Sequence, residues 1–260
     1  MGQCSMTVAL PILSACGHET CILPTALLST HTGGFGKPSV VYLDDVLEGM
    51  WRHWKENKIS FDAILVGYLG SVKAVTAASE IISQMLAPGG ISIVDPAMAD
   101  HGKLYSGFDQ EYARAMEGLC RKADVILPNL TEVAMMAGRP YREDLSKAEI
   151  VALLNELDHP CVVLTGVGFT EGETGVLIRE GDQLKHYAHP RIGKSYHGTG
   201  DMFAACFTGA LMQEKNMQEA AKIAADFVCR CIENTENSPA HWYGVKFETA
   251  LPGLIRMLQK

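Results

Sequence analysis

The residues with the most chemical content lie together in His197-Gly198-Thr199-Gly200-Asp201-Met202-Phe203-Ala204. Two glycines permit close backbone approach, and the segment runs straight into an apolar stretch with helical spacing. The first N–H groups of such a helix find no acceptor within it, so they form a site for an anion such as a phosphate. Asp201 falls in the first turn, beside that anion, where a carboxylate can take a proton from an attacking hydroxyl. The same residues are also readable as a plain helix start whose Asp complements the dipole. The segment is not a Walker loop, because no Gly-Lys-Ser/Thr follows.

Four further groups carry possible chemistry. In Pro128-Asn129-Leu130-Thr131-Glu132, Asn129 and Glu132 share one face of an early helical turn. A Glu there can hold Mg²⁺ through water at a phosphate site; alternatively the pair is a capping box. Asp95, in DPAMAD (95–100), ends an apolar run and either faces a crevice or forms an Asp-Pro turn. Thr165 and Gly166, in LTGVG (164–168), offer a hydroxyl and a small residue to a nucleotide phosphate, or simply turn the chain. STHTGGFG (29–36), with His31 and Thr32, is a polar glycine-rich loop: a flap over a substrate or a mobile surface loop. Nothing spaces His31 as a metal ligand.

These groups need a scaffold that gathers them. Short apolar runs rich in β-branched residues predict strands at 20–29 (running into a loop), 61–70, 91–96, 123–129, 161–166, 174–179 and 183–188. Amphipathic spacing predicts helices at 44–56, 71–87, 108–122, 130–137, 146–157, 199–213, 217–233 and 247–259. Ser71 opens the second of these, and Pro88-Gly89-Gly90 is expected to close it. Continuous apolar strands alternating with helices imply an α/β fold, a mostly parallel sheet covered on both faces. Such sheets bind ligands at the C-terminal ends of their strands, where every candidate above falls. No linker, repeat or charge shift divides the chain, so a single domain over 1–260 is expected.

Composition excludes several classes. Lys+Arg 22 against Asp+Glu 30 gives a net charge of −8, without the basic face that nucleic-acid binding needs. A 47% hydrophobic content excludes a disordered chain. The eight cysteines form no Cys-x-x-Cys pair, which argues against zinc and for buried thiols in a reducing compartment. The N-terminal segment lacks the basic n-region of an export signal, Lys37 being the first lysine, and Met6 occupies the position where myristoylation wants Ser or Thr. No apolar run reaches the ~18 residues of a membrane span. The expectation is a cytoplasmic protein with neither membrane nor nucleic-acid partners.

The ordered set LPTALLSTHTGGFG, VGYLGS, VDPAMADHGKLY, ADVILPNLTE, VVLTGVG and HGTGDMFAA resembles the pyridoxal kinases, the vitamin B6 salvage branch of the ribokinase-like superfamily. The resemblance spans roughly residues 2–258 and is strongest to the bacterial enzymes. It implies a three-layer α/β/α sandwich and ATP-dependent phosphorylation of the 5′-hydroxymethyl group of pyridoxal, pyridoxamine or pyridoxine. It further implies Asp201 as the base, Gly198, Thr199 and Gly200 as the anion hole, and Asn129 and Glu132 as the motif that organises Mg²⁺. Asp95 would face the Mg²⁺ and phosphate region. Thr165 and Gly166 would line the nucleotide side, and Thr32, His31 and Tyr68 the B6 pocket. ATP, Mg²⁺, often a monovalent cation such as K⁺, and a homodimer come with the family. Two departures stand out. The sequence starts at Met1-Gly2, inside the turn that follows the family's first strand, so that strand and a polar residue at its end are expected to be missing. Leu127 stands where some relatives carry Thr, an exchange expected to loosen a phosphate contact. Two further readings remain: a hydroxymethylpyrimidine kinase of the same fold, and a catalytically weak protein that binds B6 or nucleotide.

Overall fold

Amphipathic and apolar segments alternate along the folded chain much as they do in the sequence. The computed structural model describes residues 1–193 and 196–259. In chain order its elements are α1 (Met6–Ala15), β1 (Ala26–Leu28), β2 (Val40–Tyr42), α2 (Asp44–Glu56), β3 (Phe61–Val66), α3 (Val72–Met85), β4 (Leu86–Val94), β5 (Ala99–Asp100) and β6 (Lys103–Leu104). There follow α4 (Gln110–Cys120), β7 (Val125–Ile126), α5 (Leu130–Met136), α6 (Lys147–Leu157), β8 (Cys161–Thr165), β9 (Glu173–Glu180), β10 (Gln183–Pro190), α7 (Thr199–Leu211), α8 (Met217–Glu233) and α9 (Leu251–Leu258).

Six strands form the central sheet in the order β10-β9-β8-β7-β4-β3. The four from β3 to β8 run parallel, while β9 and β10 form an antiparallel hairpin at one edge. One core layer joins the sheet to α1, α7, α8 and α9 through Val8, Phe207, Phe227 and Leu254. The opposite layer joins it to α3, α4, α5 and α6 through Val75, Met116, Val133 and Leu154. The expected three-layer α/β/α sandwich is therefore present. Local chemistry sets the helix starts: Ser71, Asp109, Asn129, Ser146 and Asn216 each accept a backbone N–H as N-caps, and the last three complete capping boxes with Glu132, Glu149 and Glu219.

Several expectations need correction. The predicted strand 20–29 shrinks to Ala26–Leu28, which pairs only with Val40–Tyr42. β3 is the edge of the central sheet, so residues 20–25 meet no ladder there and stay irregular, although Leu23 packs on the core. Pro88-Gly89-Gly90 does not close α3; it lies within β4, where the β3–β4 register shifts between Phe61 and Ala63. Ser71 does open α3, but Leu86 ends it by turning extended. α1 was not foreseen: Pro11 inside it removes one helical hydrogen bond and masks the pattern. Leu127 is buried in the same core layer as α7.

Candidate active site

Three hydrogen bonds hold the parallel strand ends level. Asp95 N–H donates to Val66, Leu127 N–H to Val94, and Thr165 N–H to Pro128, at 2.8, 2.9 and 2.9 Å. This row brings the residues after β3, β4, β7 and β8 to one rim: Gly67 and Tyr68, Asp95, Asn129 and Gly166.

α7 points its N-terminus at that rim. Every residue from Met202 to Ala210 is buried, which anchors the helix in the core and fixes its start. Gly198 is the N-cap with φ 80°, and it has no side chain to cap the first N–H groups. A Cβ at Gly198 would fall on the Gln3 carbonyl, so glycine is required both by conformation and by close approach. Among the described residues no side chain takes the amides of the first turn, which a helix start offers to a ligand.

Asp201 sits in this first turn. Its carboxylate lies near Gly67 at the end of β3, and the carboxylate of Asp95 lies near Gly200. Burial raises the pKa of Asp201, opposed by the Ser5 backbone N–H that donates to it. Burial, then the charges of Glu132 and Asp201, raises Asp95 well above the ordinary carboxylate range. Asp95 Oδ1 accepts from Ala97 N–H at 3.2 Å.

Glu132 is fully buried and pushed up to about 7 by burial, against the backbone N–H groups of Asn129, Met98 and Ala99 that favour its charged form. Its Oε2 accepts from Asn129 at 2.9 Å, and its Oε1 from Met98 at 2.9 Å and Ala99 at 3.4 Å. Asn129 in turn donates from Nδ2 to the Ala99 carbonyl at 2.8 Å. Both readings of this pair are thereby joined: it is a capping box, and it ties the start of α5 to the segment after Asp95. Thr165 Oγ1 donates to the Pro128 carbonyl at 3.3 Å, and Gly166 is exposed at the same rim.

The residues expected on the acceptor side come from more distant segments. Tyr68 is half-buried, its ring 5.3 Å from Phe108, and burial raises its pKa. The 29–36 loop joins β1 to β2 and lies against the residue before Gly198: the His31 and His197 rings are 4.8 Å apart. His31 Nδ1 accepts from Gly33 N–H at 2.9 Å, while Nε2 is enclosed without a hydrogen-bond partner. Burial, then His197, lowers the His31 pKa, so the ring is neutral. Thr32 is exposed on the loop.

The sequence reading missed the N-terminal turn. Ser5 caps α1 with φ 52°, and its N–H faces Asp201. Cys4 lies beside it, its thiol pushed up to about 11 by burial and then by the charge of Asp201. The only available signal was Ser5 ahead of an apolar run, and Pro11 obscured that run.

The carboxylates test the fit of a divalent cation. Among the described residues, no three His, Cys, Asp or Glu side chains form a direct metal cage. Asp95, Glu132 and Asp201 nonetheless share one rim, burial raises all three, and among the described residues they make no ion pair with a Lys or Arg. That donor set suits a hydrated cation arriving with nucleotide phosphates, the usual mode of Mg²⁺, which keeps most of its water.

Residues 12–245 match the phosphomethylpyrimidine kinase family. A Bacteroides thetaiotaomicron protein assigned to the phosphomethylpyrimidine kinases, in a crystal form with pyridoxal, superposes with a TM-score of 0.91 at 35% identity, over 98% of this chain and 91% of its own. Pyridoxal kinase from Lactobacillus plantarum superposes with a TM-score of 0.90 at 33% identity, over 99% and 93% of the two chains. A pyridoxal kinase from Corynebacterium diphtheriae is 27% identical over 245 residues, covering 90% of this chain and 85% of that one. With a half-buried carboxylate in the first turn of α7 at the rim where the parallel strands end, these matches place the chain in the phosphomethylpyrimidine kinase family, among the pyridoxal kinases of the ribokinase-like superfamily.

Proposed function

We propose that this chain transfers the γ-phosphoryl group of ATP to the 5′-hydroxymethyl group of pyridoxal, pyridoxamine or pyridoxine. The observation that carries the reading is the position of Asp201, in the first turn of α7 and near enough to Asp95 for their charges to interact. Asp201 takes the proton of the attacking hydroxyl, and the Ser5 N–H orients its carboxylate. The amides of Gly198, Thr199 and Gly200 hold the oxygens of the transferring group as charge spreads over them. Asn129, Thr165 and Gly166 line the nucleotide side; Thr32, His31 and Tyr68 line the acceptor side. Asp95 and Glu132 would hold Mg²⁺, Glu132 through water, and the ion supplies charge neutralisation to the phosphates. A monovalent cation such as K⁺, a homodimer, a cytoplasmic setting and one functional domain over 1–260 belong to the same proposal. The eight cysteines are all free thiols, in keeping with a reducing compartment, and no helix among the described residues is long and apolar enough to cross a membrane.

A second acceptor, hydroxymethylpyrimidine, is favoured by the description of the matching family. Both readings predict ADP release with MgATP. The ratio of kcat/KM for a B6 vitamer to that for hydroxymethylpyrimidine decides between them, with a ratio below one overturning the B6 assignment. No release with either acceptor from folded protein would overturn the kinase reading.

A further inference from the structure

We propose that Phe35 and Trp242 form an aromatic contact that holds the tip of the 29–36 flap over the acceptor side of the site, making both positioning residues for transfer. The proposal rests on the kinase reading above for its catalytic consequence, and on geometry for the contact itself. Four rings form a chain from the anion-binding turn outward. His197 precedes Gly198 and lies 4.8 Å from His31; His31 meets the edge of Phe35 at 5.1 Å; Phe35 meets Trp242 at 4.5 Å. The flap backbone rests on the indole: a Cβ at Gly34 would stand 2.6 Å from Trp242 Cζ3.

The two ends of this chain are anchored differently. The flap hangs from β1 and β2, three residues each, whose Leu27, Val41 and Tyr42 are exposed. A two-stranded hairpin of this size is marginal by itself, so its tip needs an outside contact. Its base has one, since His31 N–H donates to the Met1 carbonyl and the Met1 amine to the Ser29 carbonyl. Beyond His31 the rings supply it. The segment that presents Trp242 is firmly held: Thr235 Oγ1 donates to the Cys231 carbonyl and accepts from Lys246 N–H, and Val245 and Phe247 enter the core. Trp242 itself is 44% exposed, an indole presented at the surface of a fixed segment, with Phe35 at 4.5 Å and Tyr243 edge-on at 6.0 Å. Core packing does not account for it; contact with Phe35 does.

Loss of this contact frees the flap tip without touching the nucleotide side. An aromatic pair of this kind corresponds to about a two- to tenfold change in an equilibrium. The expected result is that Trp242→Ala and Phe35→Ala each raise the KM for the B6 vitamer about two- to tenfold, leaving the KM for ATP and the melting temperature near wild type. The double variant should be no worse than the worse single, because both remove one contact. Trp242→Phe should restore most of the loss. An unchanged acceptor KM, additive effects, or parallel rises in both KM values with a lower melting temperature would overturn the proposal. Chymotrypsin cleavage after Phe35 reads the same contact without substrate. It should be faster in Trp242→Ala and near wild type in Trp242→Phe, and equal rates in all three would overturn the proposal. Failure of wild type to turn over any acceptor would strike the kinase reading alone, since the cleavage rates still decide the contact.

Discussion

Three carboxylates raised by burial at one rim define the chemistry at the residue scale. Asp201 alone stands in the first turn of α7, so Asp201→Asn should lower kcat by about 10²- to 10⁴-fold while the KM for ATP stays near wild type; steady-state ADP release measures both. A fall in ATP affinity with kcat preserved would assign Asp201 to nucleotide binding instead. Asp95 and Glu132 make a prediction about pH. Burial, then the charges of Glu132 and Asp201, raises Asp95 well above the ordinary carboxylate range, and burial pushes Glu132 up to about 7. A raised carboxyl favours the protonated folded state, so its contribution to stability is complete below the ordinary carboxylate range and is lost as pH rises through about 7. Metal-free protein should therefore lose melting temperature between about pH 5 and 8 relative to an Asp95→Asn variant, and Mg²⁺ with ADP should narrow that gap at the upper end. Parallel pH profiles for the two proteins would show that Asp95 carries no such charge. Asp201 was legible in the sequence because its motif is contiguous. The bonds from Glu132 to the Met98 and Ala99 amides were not, because they span more than thirty residues and depend on how the segment after β4 folds back.

At the scale of elements, α7 shows how burial and a free terminus cooperate. Its apolar body fixes the helix, and Gly198 lets residues 1–5 lie across its start. Gly198→Ala adds a left-handed alanine, costing about 1–2 kcal/mol, and also displaces the Gln3 carbonyl. Both the melting temperature and turnover should fall, and turnover should fall further than unfolding explains because Ser5 moves off Asp201. Circular dichroism melts beside single-turnover assays separate the two effects. The elements that sequence reading found are those with complete local signals, such as α2 and α8 with their strong amphipathic patterns and the β9–β10 hairpin around Gly181-Asp182. Its errors have local causes too. Pro11 hid α1, Pro88-Gly89-Gly90 looked like a stop but forms an irregular strand start, and the apolar run Cys21–Pro24 found no strand to pair with.

For the whole molecule, alternation of strand and helix was enough to read the sandwich, because parallel strands buried on both faces leave few other arrangements. It could not show that residues 1–5, 29–36 and 238–244 meet over α7, since nothing in a sequence marks a contact between loops more than two hundred residues apart. That convergence makes the rim a junction of both core layers, with α7 in one and α5 in the other. A nucleotide bound at the rim therefore stabilises the whole fold by mass action. At a hundredfold excess over its Kd, MgADP should stabilise the folded state by about 2.7 kcal/mol, or roughly 5–10 °C in melting temperature for a chain of this size. The same ADP with a chelator should give a clearly smaller shift, because Asp95, Glu132 and Asp201 repel the phosphates when no cation lies between them. In Asp95→Asn the difference between the two conditions should shrink. Equal shifts with and without Mg²⁺ in the wild type would place the nucleotide away from the carboxylates, and with it would fall the assignment of this rim as the site of transfer.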